Sequence, residues 1–361
     1  MIRQLFDRAL PGSINLGLGE PDLPTPDVIR RAAMRVIAEQ QNGYTSHAGL
    51  PLLRERVAAD YTHTKGKPER VIITAGSQEA LYLALMTLVD EGDEVLLPDP
   101  GFVAYPTIVR MAGGRPVFYR LPARLDFAFD AEEFRRSLTP RTKVVVLISP
   151  SNPTGRTLSP SDLAEMSAAL DGTNAYVISD EIYRELYYTK EPPASISDFY
   201  ARTLVIGGLS KSMSMTGWRI GWLCGAEEVI RSALILHGYV TTCASTISQK
   251  AALEAAWTTL AESARALMRQ IFRERRDFLL ALINDVPGWR AAQPDGAFYA
   301  MVRTGHEGDS LKVAETLLAH GVITVPGSAF GSEGEGFLRV SFCAEKDVLA
   351  EGVRRMAQAL S

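Results

Sequence analysis

Short apolar runs rich in β-branched residues alternate with longer stretches of helical periodicity through the first two thirds of the chain. Runs that are apolar throughout are typical of strands buried on both faces, and helices between them favour a mostly parallel sheet covered on both sides. We therefore predict the α/β class, with a seven-stranded, mostly parallel sheet flanked by helices. The predicted strands are 71–74, 94–98, 116–119, 143–148, 175–179, 203–206 and 220–224.

Helices are predicted between most of these strands. One begins with Ser77 as its N-cap, one covers residues 105–112, and one covers residues 160–170 behind Ser159. Residues 249–284 are helical almost throughout and too long for a simple crossover, so the chain is expected to leave the sheet domain there.

The last part of the chain has the size of a small α+β domain. From Gly296 onward the pattern indicates strand, helix, strand, strand and helix, with the last strand at 337–342. The segment up to about Met34 contains many glycines and prolines and is expected to pack between the two parts. We therefore predict a large domain over 35–265 and a small domain formed by 1–34 together with 266–361.

Composition excludes several classes of function. With 46% hydrophobic residues and a formal net charge of −4, the chain resembles an ordinary globular protein without a basic stripe for nucleic acid. The most apolar helix candidate, residues 80–89, is half the length of about 20 residues that a bilayer requires, so no membrane segment is expected. No secretory signal is evident at the start, and a cytoplasmic location is expected.

The cysteines and histidines indicate neither a disulfide framework nor a metal site. Cys224, Cys243 and Cys343 are far apart and odd in number, and no CxxC pair occurs. There is no HExxH motif and no Cys/His cluster with the spacing of metal ligands. No metal is therefore predicted.

Candidate chemistry follows the strands, because ligands of open α/β sheets bind at the carboxyl ends of the strands. The first strand runs into Gly76, Ser77 and Gln78, where free backbone N–H groups at a helix start can bind a phosphate. Taken alone, this turn is more often an ordinary capped helix. Residues 143–148 run into a stiff turn with two prolines that directs Asn152, although a turn-forming asparagine is the alternative.

Two further strand ends carry the most informative residues. Asp180 follows strand 175–179, and a buried carboxylate there requires a positive charge nearby, unless Asp180 is a helix N-cap. Strand 203–206 leads into a glycine-rich polar loop with Ser210 and Lys211. A lysine is usually a solvated surface residue, but in a partly desolvated site its pKa falls, and a neutral amine attacks aldehydes.

Taken together, these turns resemble the class I and II aminotransferases, pyridoxal-phosphate enzymes of fold type I. The resemblance covers almost the whole chain, and the order and spacing of its motifs make it specific. The motifs are Leu18-Gly19-Glu20-Pro21-Asp22, Gly43-Tyr44-Thr45, Gly76-Ser77-Gln78, Pro98-Asp99-Pro100-Gly101-Phe102, Asn152-Pro153-Thr154-Gly155, Asp180-Glu181-Ile182-Tyr183, Ser210-Lys211 to Arg219-Ile220-Gly221, Pro326 to Gly331, and Leu338-Arg339-Val340-Ser341-Phe342.

The resemblance implies a role for each of these residues. Lys211 forms the Schiff base with pyridoxal 5′-phosphate and moves the substrate proton, and Asp180 pairs with the pyridine nitrogen. Tyr183 and Asn152 donate to the phenolic oxygen of the cofactor, while Phe102 stacks on its ring. The phosphate is bound by Gly76, Ser77, Gln78, Ser210, Arg219 and, from a neighbouring subunit, Tyr44. Arg339 binds the substrate α-carboxylate, with Asn152 beside it and the backbone at Gly19 closing over it.

The implied activity is transfer of an amino group from an L-amino acid to a 2-oxo acid by a ping-pong mechanism in a homodimer with shared active sites. The nearest alternative is a carbon–sulfur β-lyase or another enzyme of the same fold, because fold and cofactor do not determine the reaction. A more distant alternative is a non-catalytic regulatory module that binds the cofactor. The chain departs from the family in having Ala75 before the phosphate turn and a short segment before Ile14.

Overall fold

The main feature of the fold is a seven-stranded sheet. A computed structural model describes residues 7–40, 42–306 and 308–361. In chain order the strands of this sheet are β2 (Val71–Thr74), β3 (Glu94–Asp99), β4 (Arg115–Arg120), β5 (Thr142–Ile148), β6 (Tyr176–Asp180), β7 (Thr203–Gly208) and β8 (Gly221–Cys224). Their spatial order is β2-β8-β7-β6-β5-β3-β4. The two-residue β1 (Ile14–Asn15) lies elsewhere.

The sheet is parallel except at one strand. β8 pairs antiparallel with both β2 and β7, while the pairs among β3, β4, β5, β6 and β7 are parallel. The carboxyl ends of β2, β3, β5, β6 and β7 therefore meet at one edge. The predicted α/β class with a seven-stranded, mostly parallel sheet is confirmed, and the predicted strands differ from the observed ones by at most two residues at either end.

Helices pack on both faces of this sheet. The helices that precede β8 in the chain are α1 (Asp27–Ala38), α2 (Pro51–Ala58), α3 (Ser77–Leu88), α4 (Tyr105–Met111), α5 (Ala131–Ser137) and α6 (Pro160–Leu170). α6 begins with a capping box between Ser159 and Asp162, as the sequence predicts for Ser159. Six alanine and leucine side chains of α3 are buried in the core.

The predicted N-cap of α3 is wrong. Ser77 is the first helical residue, and the cap is Gly76, which has φ of 90° and ψ of 167°. This left-handed φ favours glycine, because a side chain there would be strained. An added Cβ at Gly76 would also collide with the guanidinium of Arg219. Glycine at this position therefore allows Arg219 to lie directly against the turn.

The described residues after the large sheet form five α-helices and a second, smaller sheet. The helices are α7 (Glu227–Val240), α8 (Thr246–Ala255), α9 (Thr259–Asn284) and α10 (Ser310–Ala319), followed by α11 (Lys346–Ala359) at the end. The predicted helical stretch 249–284 thus contains a break between Ala255 and Thr259. Thr258 caps the second part by accepting a hydrogen bond from the backbone N–H of Ala261.

The small sheet contains β9 (Arg290–Ala291), β10 (Tyr299–Arg303), β12 (Val325–Pro326) and β13 (Leu338–Ser341) in the order β12-β13-β10-β9. A separate parallel pair joins β1 to β11 (Val322–Ile323). Three short strands therefore follow α10 where the sequence predicted two.

The segment up to Met34 connects to this C-terminal part, and it is not all loop, since α1 covers its end. Beside β1, the backbone N–H of Ser341 donates to the carbonyl oxygen of Leu16 at 2.6 Å. Within the described ranges, no helix has the length and apolar character needed to cross a bilayer.

Candidate active site

A cavity of about 670 Å³ opens at the edge where the parallel strands end. Residues from the N-terminal segment, the strand ends and the small sheet all reach it. Its lining is Asp7, Leu18, Gly19, Ser77, Gln78, Leu81, Phe102, Val103, Ile148, Asn152, Asp180, Ile182, Tyr183, Ser210, Lys211, Thr216, Arg219, Tyr299, Phe330 and Arg339.

Lys211 follows the end of β7 and is partly buried in this cavity. Its ammonium Nζ donates to the carbonyl oxygen of Gly19 at 2.8 Å. Burial lowers the pKa of Lys211 below its ordinary value, and the positive charges of Arg219 and Arg339 lower it further. A lysine in this setting reaches the neutral, nucleophilic form more readily than a solvated lysine.

Asp180 is the last residue of β6 and is buried at the floor of the cavity. One carboxylate oxygen accepts from the hydroxyl of Tyr105 at 2.9 Å, and the other accepts from the backbone N–H of Ile182 at 3.2 Å. Burial raises the pKa of Asp180 to about 6, although these hydrogen bonds and the nearby Lys211 oppose the rise. A cationic group bound beside Asp180 would compensate for the desolvation of its charge.

Two buried tyrosines meet beside Asp180. The hydroxyl oxygens of Tyr183, from the turn after β6, and Tyr299, from β10, are 2.9 Å apart. Burial raises the pKa of Tyr183 well above its ordinary value and that of Tyr299 to about 12, so both are neutral phenols near pH 7. The pair joins the large sheet to the small one inside the cavity.

Arg339 on β13 is buried opposite these tyrosines. It donates from Nη1 to Oδ1 of Asn152 at 2.9 Å and from Nη2 to the carbonyl oxygen of Gly17 at 2.6 Å. Its guanidinium carbon lies 4.4 Å from the ring centre of Tyr299 and 4.8 Å from that of Phe330. Among the residues that the structure describes, none accepts a hydrogen bond from the buried Nε–H, and an anionic ligand would supply an acceptor.

The other end of the cavity is positively charged. Arg219 donates to the carbonyl oxygens of Thr216 at 2.8 Å and Ala75 at 3.2 Å, which directs its guanidinium to the start of α3. The cap residue Gly76 offers no side chain to the first N–H groups of this helix. A helix start with free N–H groups, next to an arginine and the buried Ser210, suits a phosphate.

The structure brings most of the predicted site residues together. Eleven line the cavity, namely Gly19, Ser77, Gln78, Phe102, Asn152, Asp180, Tyr183, Ser210, Lys211, Arg219 and Arg339, and Gly76 lies directly behind Arg219. Tyr44 is not in the lining; it lies in a loop and is 88% exposed. No role in the site was predicted for Tyr105, Tyr299, Phe330 or Gly17, which contact the predicted residues.

The chain matches the aminotransferase class I and II family over residues 11–356. It belongs to that family. Aspartate aminotransferase of Pyrococcus horikoshii is 36% identical, with 99% of this chain and 94% of the relative covered. Aspartate/prephenate aminotransferase of Thermus thermophilus is 37% identical, with 96% and 91% covered.

Solved structures of class I and II aminotransferases have the same architecture. The Thermus thermophilus aspartate aminotransferase with maleate superposes with a TM-score of 0.92 at 35% identity, covering 99% of this chain and 94% of the other. An aromatic aminotransferase from Pyrococcus horikoshii gives 0.92 at 32% identity, covering 100% and 98%. The family assignment and the fold predicted by resemblance are confirmed, and the protein is a transaminase of a pyridoxal-phosphate-dependent family.

Proposed function

We propose that this aminotransferase moves an amino group from an L-amino acid to a 2-oxo acid in two half-reactions, with Lys211 binding pyridoxal 5′-phosphate covalently. The observation that carries the proposal is the convergence of Lys211, Asp180 and Arg339 in one cavity. These three groups supply an amine of lowered pKa, a buried carboxylate in need of a cation, and an arginine with an unused donor.

The residues around the cavity fit this cofactor at each of its functional groups. Ser77, Gln78, Ser210 and Arg219 suit its phosphate, with Gly76 leaving room for the arginine. Asp180 suits the protonated ring nitrogen. Phe102 offers a face for the ring, and Tyr183 and Asn152 offer donors for its phenolic oxygen.

When bound, the cofactor supplies an electron-withdrawing ring that stabilises negative charge at the substrate Cα. The side-chain amine of Lys211, once free of the cofactor, would be the base that moves a proton between the substrate Cα and C4′ of the cofactor. Asp180 remains ionised beside the ring nitrogen. Arg339 binds the α-carboxylate through Nε and the remaining Nη protons, which orients the Cα proton toward Lys211.

The decisive experiment is turnover with and without a 2-oxo acid. We expect a panel of L-amino acids to convert the bound cofactor to its amine form, and 2-oxoglutarate or another oxo acid to restore it. Multiple turnovers should require both substrates. Release of ammonia and an oxo acid without an acceptor would instead identify a lyase, and no half-reaction with any amino acid would contradict the proposal.

Lys211→Ala tests the covalent step. The variant should lose the visible absorbance of the protein-bound cofactor and fall by at least about 10³-fold in turnover, because the base and the covalent link are removed together. Lys190→Ala, at a lysine for which no role in the site is proposed, is the control. Borohydride should label the wild type and the control at Lys211 and leave the variant unlabelled. An unchanged spectrum in Lys211→Ala would rule out the assignment.

We also propose a homodimer in which Tyr44 reaches the phosphate in the active site of the partner subunit. Support comes from the surface around this exposed tyrosine. Ile235 and Tyr239 are 62% and 91% exposed and lie one turn apart on α7. An added Cβ at Gly238 would lie 3.1 Å from Nδ1 of His47, so this end of α7 packs near the Tyr44 loop. Exposed apolar side chains grouped in this way are typical of an interface.

The division into a large domain over 35–265 and a small one over 1–34 with 266–361 is part of the same proposal. Arg339 and Tyr299 come from the small sheet, whereas Lys211 and Asp180 come from the large sheet. A substrate that contacts both groups would favour a closed arrangement of the two domains.

A further inference from the structure

Tyr299 occupies a central position in the cavity. Its hydroxyl is 2.9 Å from that of Tyr183, and its ring centre is 4.4 Å from the guanidinium carbon of Arg339. The backbone of Gly19 packs so close to the hydroxyl that a Cβ there would collide with it. The same Gly19 accepts the hydrogen bond from Lys211. One buried side chain therefore contacts residues assigned to the cofactor and to the substrate.

The hydroxyl pair has only one useful orientation if Tyr183 donates to the cofactor. Each phenol carries a single hydroxyl proton, so if Tyr183 donates to the phenolic oxygen of the cofactor, it must accept the hydrogen bond from the hydroxyl of Tyr299. A donor that also accepts is polarised and becomes a stronger donor. The hydroxyl of Tyr299 thus acts on the cofactor only through Tyr183. Besides burial, which raises the pKa of Tyr183, the charge of Arg339 lowers this pKa and the charge of Asp180 raises it.

The ring of Tyr299 has a separate partner. It covers one side of the Arg339 guanidinium, and Phe330 contacts the same group at 4.8 Å. A guanidinium next to aromatic rings gains cation–π attraction and loses rotational freedom. The guanidinium lines the cavity, and its buried Nε–H has no hydrogen-bond partner within the described part of the chain. The contact between the ring of Tyr299 and Arg339 does not depend on the hydroxyl of Tyr299.

We infer that Tyr299 is a positioning residue with two separable functions. Its hydroxyl orients Tyr183 toward the cofactor, and its ring orients Arg339 toward the substrate carboxylate. The inference rests on the proposed function, because it assumes that Tyr183 and Arg339 contact cofactor and substrate.

Tyr299→Phe tests the hydroxyl. Loss of one hydrogen bond should raise the dissociation constant of pyridoxal phosphate about 2- to 10-fold, while the KM for the amino acid stays within about twofold because the ring is retained. In a Tyr183→Phe background the same change should have no further effect on cofactor affinity, since the hydroxyl then has nothing to orient. Tyr119→Phe, which removes a buried hydroxyl bonded to Val146 at 3.3 Å, is the matched control and should change neither quantity.

Tyr299→Leu tests the ring. It should reproduce the loss of cofactor affinity and, in addition, raise the KM for the amino acid about tenfold or more, with a smaller change in kcat. If the leucine variant does not fold, Tyr299→Met provides the same test, because a flexible thioether fills irregular volumes.

The outcomes separate the two levels of the proposal. Unchanged cofactor affinity in Tyr299→Phe, an equal effect in the Tyr183→Phe background, or an unchanged KM in Tyr299→Leu overturns the positioning role while the wild type still binds cofactor and turns over. A wild type that neither binds pyridoxal phosphate nor transaminates overturns the proposed function, and the role of Tyr299 with it.

Discussion

Asp180 makes the stability of the cofactor-free protein depend on pH. Its pKa is raised by burial from an ordinary 3.8 to about 6 in the folded chain. Between these values the folded state binds more protons than the unfolded state, so stability falls as pH rises through this window and then becomes constant. A carboxylate in a salt bridge has the opposite effect, since it makes the folded state more stable as pH rises.

Asp180→Asn provides the comparison that isolates this effect. From pH 4 to pH 7 the unfolding free energy of the wild type should fall, relative to that of the variant, by on the order of 2 kcal/mol. Urea unfolding of both cofactor-free proteins at pH 4, 5, 6 and 7 measures it. A difference that does not change with pH, or that favours the wild type as pH rises, would contradict the burial argument.

Residues at strand ends were predictable, and residues that support them were not. Lys211 and Asp180 are polar side chains next to apolar runs, which the sequence displays directly. Tyr105 and Tyr299 are aromatic residues within a helix and a strand, where a core position is the ordinary expectation. Only the hydrogen bonds of their hydroxyl groups distinguish them from core residues. The partner of Tyr105 is 75 residues away in the chain, and the partner of Tyr299 is 116 residues away.

At the scale of elements, Asp99 at the end of β3 fixes the loop that carries Phe330. Its carboxylate accepts from the backbone N–H and hydroxyl of Ser332 at 3.1 and 2.6 Å and from the N–H of Glu333 at 3.1 Å. The N–H of Gly101 also donates to the carbonyl oxygen of Phe330 at 2.9 Å. Phe330 is thereby held against Arg339.

Asp99→Ala should therefore loosen this loop and act on the substrate more than on the cofactor. We expect the KM for the amino acid to rise about tenfold, because a misplaced contact weakens orientation of the carboxylate. Cofactor affinity should stay within about twofold of the wild type. The exposed Asp171→Ala serves as the control. A larger change in cofactor affinity than in KM would contradict the proposal that this loop positions Arg339 for the substrate.

Element boundaries were predictable where a cap or an apolar run marks them. Ser159 correctly indicated the start of α6, whereas Ser77 misled because the backbone at Gly76 requires a positive φ that serine disfavours. The helix α1 was not predicted, because its buried apolar residues alternate with charged ones and follow a segment rich in glycine and proline.

At the scale of the whole molecule, the exposed face of α7 should decide the oligomeric state. Tyr239→Glu places a charge at the centre of the apolar surface near Tyr44 and should shift sedimentation from dimer to monomer. Turnover should fall with it, because the partner's Tyr44 would be lost from the site. Leu267→Glu, which is also exposed but lies on α9, should leave the dimer intact. A wild type that sediments as a monomer would contradict the shared site.

The pairing of β1 with β11 also has a consequence for synthesis on the ribosome. Ile14 lies beside Val322, Leu16 accepts from Ser341, and Gly17 accepts from Arg339. Residues 14–17 can therefore complete these contacts only after residues 322–341 have been synthesised. A chain that stops before residue 322 would carry Lys211 without Arg339, the residue that we assign to the substrate carboxylate, so we expect premature termination to yield no active fragment.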